Sequence, residues 1–310
     1  MFVCGNMRRY VEVSNLVMSV LGNMAPIIQQ VSIDEAFLDM TGCEHLHPSA
    51  YGMGEAIRQA IKDASGLTAS VGIGPNKYIA KLASSSCKPN GLLVVSEGEV
   101  EAFLDPMPVS KLWGVGEQGS KELARYGITT VSELKSWSQQ WMIDKFGKWG
   151  AVLYRLARGI DDDPVTPDEE PQSYASENTF ETDISDIDVL RRALVHHSSR
   201  VARRLRESRM LARTVTLKIK YSDFQQITRG RSLAEPFDDD NTAYATSSSI
   251  LDEINLAKPV RLIGVCLSGL TGERQLSLFA QPRASTADNV LDAIARKHGS
   301  RLVVRGRELQ

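Results

Sequence analysis

The 310-residue sequence has few cysteines, no long apolar run and almost no net charge, and each shortage removes a class of protein. Cys4, Cys43, Cys87 and Cys266 stand far apart without a CxxC pair, which gives no zinc-site pattern and suits a reducing, cytoplasmic setting. No apolar stretch approaches the roughly 20 residues that cross a bilayer, and the opening residues do not read as a signal peptide, so no membrane partner is expected. A dinucleotide fingerprint is missing too: Gly72-Ile73-Gly74 lacks the third glycine and runs into Pro75. What remains, with 42% hydrophobic and 24% charged residues, is an ordinary globular composition long enough for two or three domains.

The net charge of −2 conceals a strong asymmetry. From Ile160 to Asp188 there are eleven acidic residues and no basic ones, whereas Val189 to Arg231 holds twelve Lys and Arg against Glu207 and Asp223. An acidic linker joined to a basic module fits nucleic-acid binding, because backbone phosphates respond to a local patch whatever the total charge.

The stretch that carries chemistry is Val31-Ser32-Ile33-Asp34-Glu35-Ala36-Phe37-Leu38-Asp39-Met40. Val31–Ile33 and Phe37–Met40 read as buried strands, which puts Asp34 and Glu35 at the turn or bulge between them. A bend brings both acids to one sheet edge, where oxygen ligands suit hard cations such as Mg2+. A polar hairpin turn without a ligand is the alternative. Around it, Met7 to Leu21 reads as an amphipathic helix with Val11, Leu16, Val20 and Leu21 inward, Glu55 to Ser65 as a second helix, and Thr68 to Ile73 as a strand. A helix starts at Asn76 and sets Lys77 and Lys81 on one face.

Pro106 and Pro108 mark a boundary. Leu112-Trp113-Gly114-Val115-Gly116 then opens a helix running to Arg125, with Gly127 as its cap and a capping box at Thr130–Glu133. Two short helices joined through a glycine hairpin present backbone N–H groups to a phosphate, which makes Gly114, Val115 and Gly116 candidate DNA contacts. A helix over Trp141 to Ala157 completes this part. Asp161 to Pro171, rich in acids and prolines, predicts an extended tether. Beyond it the pattern is strand, helix, strand, strand, helix, strand. Val215, Leu217, Ile219 and Tyr221 alternate with Thr216, Lys218 and Lys220, giving one apolar face for helices at Val189–Met210 and Thr242–Asn255 and one basic face. A helical stretch near Asp288 to Lys297 carries no functional signal.

Taken in order, Ser32-Ile33-Asp34-Glu35-Ala36, Gly72-Ile73-Gly74-Pro75-Asn76-Lys77, Ala80-Lys81-Leu82-Ala83, Lys88-Pro89-Asn90-Gly91, Trp113-Gly114-Val115-Gly116, Ser222-Asp223-Phe224, Thr228-Arg229-Gly230-Arg231-Ser232 and Gln275-Leu276-Ser277-Leu278-Phe279 resemble the Y-family DNA polymerases, which copy damaged templates. The resemblance runs from about Asn6 to Phe279. It implies an α+β, multidomain chain: a partial palm (1–105), an all-helical thumb with a helix-hairpin-helix (106–160), an acidic linker (161–172), an α+β little finger with a four-stranded sheet (173–270), and a tail (271–310). By the same resemblance Asp34 and Glu35 are catalytic metal ligands for Mg2+, two ions in the intact family enzyme, and Lys81 meets the triphosphate of a deoxynucleotide. Lys218, Lys220, Arg229 and Arg231 are expected to lie along primer-template DNA. Gln275, Leu276, Leu278 and Phe279 are expected to dock on the sliding clamp. A monomer is expected. Ser85 and Cys87 stand where the family often carries an acid and an amide.

In that family Met7 to Leu21 is interior sequence, preceded by a strand with another metal-binding aspartate and by the fingers. Met1 therefore reads as an internal start, and a truncated chain with impaired activity is expected. Two other readings stand beside it: a non-catalytic remnant that binds DNA and clamp, and an unrelated helix-hairpin-helix DNA-binding protein.

Overall fold

The computed structural model describes residues 5–167, 171–272, 290–294 and 297. The chain divides into two compact units, residues 1–169 and 170–310.

In the first unit, helix α1 (Met7–Gly22) starts at Asn6, whose side chain accepts the Arg9 N–H. Its inward stripe is Ser14, Val17, Met18 and Leu21, of which the three apolar residues pack with Met53, Ile57 and Ile61 of α2 (Ala50–Ser65). Val11 and Leu16 are exposed, contrary to the sequence expectation. The 14–17–18–21 spacing follows the helical period, and a polar Ser14 on it hid the face. Between the helices, β1 (Ile27–Gln30) and β2 (Ala36–Asp39) pair antiparallel, with Gln30 opposite Ala36. The first strand thus ends before Val31. Val31 and Ile33, expected in a buried strand, lie exposed on the loop, because register is fixed by Ile28 and Leu38 entering the core instead.

Strand β3 (Val71–Ile73) pairs parallel with β4 (Leu92–Val94), and α3 (Lys77–Ser86) crosses directly over β3. The approach explains Gly72: a Cβ there would stand 2.1 Å from the Ala80 carbonyl oxygen. Tyr78, Ile79 and Leu82 of α3 enter one apolar core with Leu104 of α4 (Val100–Leu104), Leu123 of α5 (Glu117–Ala124), Leu134 of α6 (Val131–Lys135) and Leu153 of α7 (Gln139–Leu156). Helix α5 begins at Glu117, not Leu112, and Gly127 follows it at φ +73. Thr130 and Glu133 form the capping box of α6, and hydrogen bonds from the Thr129 backbone and hydroxyl and the Thr130 backbone hold the Glu133 carboxyl down to about 2. Helix α7 is broken at Gly147 (φ 60, ψ −138).

The acidic segment after α7 does not begin as a tether. The Asp161 carboxylate accepts the Tyr78 N–H at 3.1 Å, the Asn76 side chain donates to the Gly159 carbonyl at 2.8 Å, and Arg155 pairs with Asp162. An acid at the N-terminus of α3 meets the positive end of the helix dipole, which a composition-based reading of the segment does not register.

The second unit is built from β5 (Ser173–Ile184), α8 (Ile187–Glu207), β6 (Ala212–Tyr221), β7 (Gln226–Phe237), α9 (Asp240–Asp252) and β8 (Val260–Ser268). The four strands form an antiparallel sheet in the order β5-β8-β6-β7. Val215, Leu217, Ile219 and Tyr221 are buried and pack with Leu190, Leu194 and Val201 of α8 and with Ala243, Ile250 and Leu251 of α9. In the helical stretch 290–294, Asp292 is buried between Arg203 (2.9 Å) and Arg206 (2.6 Å) of α8. Burial pushes its carboxyl up, and the hydrogen bonds from Arg206 and Arg203 outweigh this and hold it below the usual range.

Candidate functional site

Five residues, 31–35, close the β1–β2 hairpin and carry the two carboxylates. The Glu35 carbonyl accepts the N–H groups of Val31 (2.9 Å) and Ser32 (3.2 Å), which fixes the loop's width. The Ser32 hydroxyl donates to Asp34 Oδ1 at 2.5 Å and accepts the Asp34 N–H at 3.2 Å, so the aspartate is oriented locally. Gln30 steadies the same loop by donating to the Ser32 carbonyl at 3.0 Å.

Lys81, on the second turn of α3, forms an ion pair with Glu35; the two side chains are 28% and 37% exposed, open enough to meet a ligand. Lys77, one turn earlier, is far more enclosed. Its ammonium donates to Gln29 Oε1 at 3.2 Å, lies 5.8 Å from the centre of the Phe37 ring and approaches Asp163 at 4.0 Å. The i,i+4 spacing placed both lysines on one face, and the hairpin then divides them: Lys77 braces β1 and β2, and Lys81 reaches the acids. Because Asp161 occupies the N-terminus of α3, the helix end is satisfied internally. Gln29, Ser32 and Asp161 were not legible as parts of this site, since each acts through a turn or a contact distant in sequence.

Two neighbouring carboxylates are hard oxygen donors, of the kind Mg2+ takes. They fit as part of a metal site. Among the described residues no group of three or more His, Cys, Asp or Glu side chains is placed to hold a metal ion.

The glycine turn is fastened to this region by aromatic rings. Trp113 packs edge-on against Phe37 (centroids 6.2 Å apart) and Tyr78 (5.7 Å). Gly114 takes φ +75, a conformation that a side chain would strain, and Gly116 is the N-cap of α5. Both are exposed, whereas the Val115 side chain is buried and its N–H donates to the Leu112 carbonyl at 3.1 Å, which leaves the two glycines to meet a phosphate.

In the second unit the register divides the cationic residues expected along DNA. Lys218 pairs with Thr228 and Gly264, and Lys220 with Gln226 and Leu262, all on the sheet face opposite the helices. Arg229 stands opposite Leu217 and Arg231 opposite Val215, which are core residues on the helix side. The single basic face expected from sequence is therefore corrected. Arg231 donates to Ser249 at 3.0 Å and pairs with Glu253 at 2.5 Å, at the α9 side of the sheet. Arg229 is exposed and, among the described residues, donates only to the neighbouring Thr228 carbonyl at 2.9 Å. Lys218 pairs with Glu177 at 2.8 Å. Gln275, Leu276, Leu278 and Phe279 lie outside the described residues.

Comparison with known proteins identifies the family and the fold. Residues 1–85 match the impB/mucB/samB family, residues 171–278 the impB/mucB/samB family C-terminal domain, and residues 110–161 the thumb domain described for DNA polymerase-iota. The chain is 38% identical over 300 residues to DNA polymerase IV of Desulfatibacillum aliphaticivorans, covering 94% of this chain and 76% of that protein. It is 39% identical over 270 residues to DNA polymerase IV of Listeria welshimeri, covering 87% and 76%. A solved Y-family DNA polymerase chimera superposes with a TM-score of 0.76 at 24% identity, covering 88% of this chain and 79% of the other, and so shares the fold. No helix among the described residues is long and apolar enough to cross a membrane.

Proposed function

The chain belongs to the Y family of DNA polymerases, nucleotidyltransferases of the translesion type, and from that premise we propose that Asp34, Glu35 and Lys81 are its contribution to the reaction centre. One observation carries the reading. The Lys81–Glu35 ion pair brings a cation of α3 to the hairpin loop that carries both acids. The family is metal-dependent, and Asp34 and Glu35 would hold Mg2+ through oxygen, with two ions in the complete centre. Bound there, the metal supplies stabilisation of charge on the attacking and leaving oxygens of an in-line displacement. Lys81 offsets charge on the triphosphate of the incoming deoxynucleotide as a compact point charge. The glycine turn at Gly114–Gly116 is one contact for backbone phosphates of primer-template DNA; in the second unit Lys218 and Lys220 offer others from the helix-free face, Arg229 from the exposed edge strand, and Arg231 once drawn from Glu253. Readout of backbone and shape suits an enzyme that accepts any template.

Palm (1–105), thumb (106–160), linker (161–172) and little finger (173–270) remain our proposed boundaries, supported by the family matches at 1–85, 110–161 and 171–278. A monomer in the cytoplasm, docked on the sliding clamp through Gln275, Leu276, Leu278 and Phe279, completes the proposal. A peptide spanning 275–279 is expected to bind the clamp through its apolar anchors. Equal binding after Leu278→Ala with Phe279→Ala removes that part.

Primer extension tests the centre. Since no group of three metal-ligating side chains forms among the described residues, these 310 residues alone are expected to extend a primer barely, and fusion to the part of a DNA polymerase IV relative that they do not span is expected to restore extension. Asp34→Ala or Glu35→Ala should then abolish it, and Lys81→Ala should act mainly on the KM for deoxynucleotide. Robust extension that survives Asp34→Ala and Glu35→Ala would place the centre elsewhere. An inert fusion that still binds DNA would favour the non-catalytic, DNA-binding reading.

A further inference from the structure

Phe224 is out of keeping with its position. It lies in the turn between β6 and β7, is 61% exposed, and takes φ +66, a left-handed conformation that disfavours bulky residues and would suit glycine or asparagine. The turn is closed by its own hydrogen bonds: the Phe224 N–H donates to the Tyr221 carbonyl at 2.9 Å, the Tyr221 N–H to the Gln225 carbonyl at 2.8 Å, and the Gln225 N–H to Asp223 Oδ1 at 3.1 Å. A rigid turn therefore holds an apolar ring out in water at a cost in both solvation and backbone energy. Nothing in the core requires it, because the aromatic ring is not among the residues that fill the unit's interior.

Its neighbours are cations. The Arg261 guanidinium lies 4.9 Å from the ring centre and the Lys220 ammonium 5.5 Å. The acids nearby are already matched, Asp223 with Lys258 at 2.5 Å and Asp183 with Arg261 at 3.5 Å, while Lys220 has no carboxylate partner among the described residues. Lys220 also points to the helix-free face of the sheet, next in line to Lys218.

We propose that Phe224, with Arg261 and Lys220, is a stacking platform for an unpaired base of single-stranded DNA. An aromatic ring and a planar guanidinium offer faces to a base of any identity, and an ammonium beside them meets the adjoining phosphate. Inside a duplex every base is stacked on both faces, so the ligand is the single-stranded part of a template and not the paired part. This site is separate from the hairpin carboxylates, and its test does not depend on polymerisation.

The experiment uses the full chain and three probes: a dT oligonucleotide, an abasic sugar-phosphate chain of the same length, and a blunt duplex. Phe224→Ala is expected to weaken binding of the dT oligonucleotide about tenfold and to leave the abasic chain and the duplex unchanged. Phe224→Gly suits the left-handed turn, so it is expected to fold at least as stably and to show the same selective loss. Phe224→Trp should keep affinity and gain a fluorescence quench, relative to wild type, with dT but not with the abasic chain. Equal binding of dT by wild type and Phe224→Gly, or equal loss with all three probes, would overturn the proposal. So would a Trp signal indifferent to the bases, or a change confined to self-association, which would make the ring a protein contact.

Discussion

The indole N–H of Trp149 donates to the carbonyl of Gly114 at 3.1 Å, joining the break in α7 to the glycine turn ahead of α5. The same ring closes over α5, where a Cβ on Gly119 would stand 2.9 Å from it. Trp149→Phe keeps most of this packing and removes the hydrogen bond. It is expected to cost about 1 kcal/mol of stability and to weaken DNA binding through the turn. Trp149→Ala should cost about 2–3 kcal/mol, since part of the core cover goes with it. Thermal melts and anisotropy titrations of both variants check the ordering; no loss of DNA affinity in Trp149→Phe would mean that the turn needs no such support.

Arg229 and Arg231, two residues apart, are expected to differ in their effect on DNA binding. Among the described residues Arg229 has no acidic partner to leave before it takes a phosphate, whereas Arg231 must first leave Ser249 and Glu253. Arg229→Ala should therefore weaken binding to all sequences alike and lower the salt slope by about one. Arg231→Ala should act less on binding and more on the stability of α9 against the sheet. Titrations at several salt concentrations separate the two; a larger binding loss from Arg231→Ala would contradict this division.

His197 of α8 gives the second unit a pH dependence. Its ring is buried between the Ser176 hydroxyl (2.9 Å) and Asn178 Oδ1 (2.6 Å) on β5. Burial, with the nearby His196 and Arg200, pushes it down to about 4, while Glu177 opposes the shift. The unfolded chain, with an ordinary histidine near 6.5, takes up the proton first as pH falls. The stabilisation is therefore complete above about 6.5 and lost between there and about 4, amounting to on the order of 2–3 kcal/mol. Denaturant melts across this range should show the slope, and His197→Gln should flatten it. An unchanged slope in the variant would assign it to other groups.

Much of this architecture was legible because its signals are local. The alternation Val215, Leu217, Ile219, Tyr221 has the period of a strand, and all four side chains are buried. Asn76 and the pair Thr130–Glu133 cap helices by bonds to backbone within four residues, so the residue types alone announce them. The same holds for the glycines at Gly114 and Gly127, which take positive φ.

What depended on pairing across the chain was not readable. Alternation says that β7 has two faces, but only the antiparallel register, Arg229 against Leu217 and Lys218 against Thr228, says which residues share one. A run of acids looks like a solvated tether until Asp161 is found at the N-terminus of α3. Asp34 and Glu35 were identifiable as an acidic turn. That the turn comprises residues 31–35 was settled by the β1–β2 register, that Ser32 orients Asp34 by the local bonds of the loop, and that Lys81 rather than Lys77 meets Glu35 by the packing of α3 against the hairpin. Sequence fixes what a segment does with its own backbone neighbours. Which charged groups then meet, and on which side of a sheet they stand, is decided by tertiary packing, because those contacts join residues whose separation along the chain leaves no periodic trace.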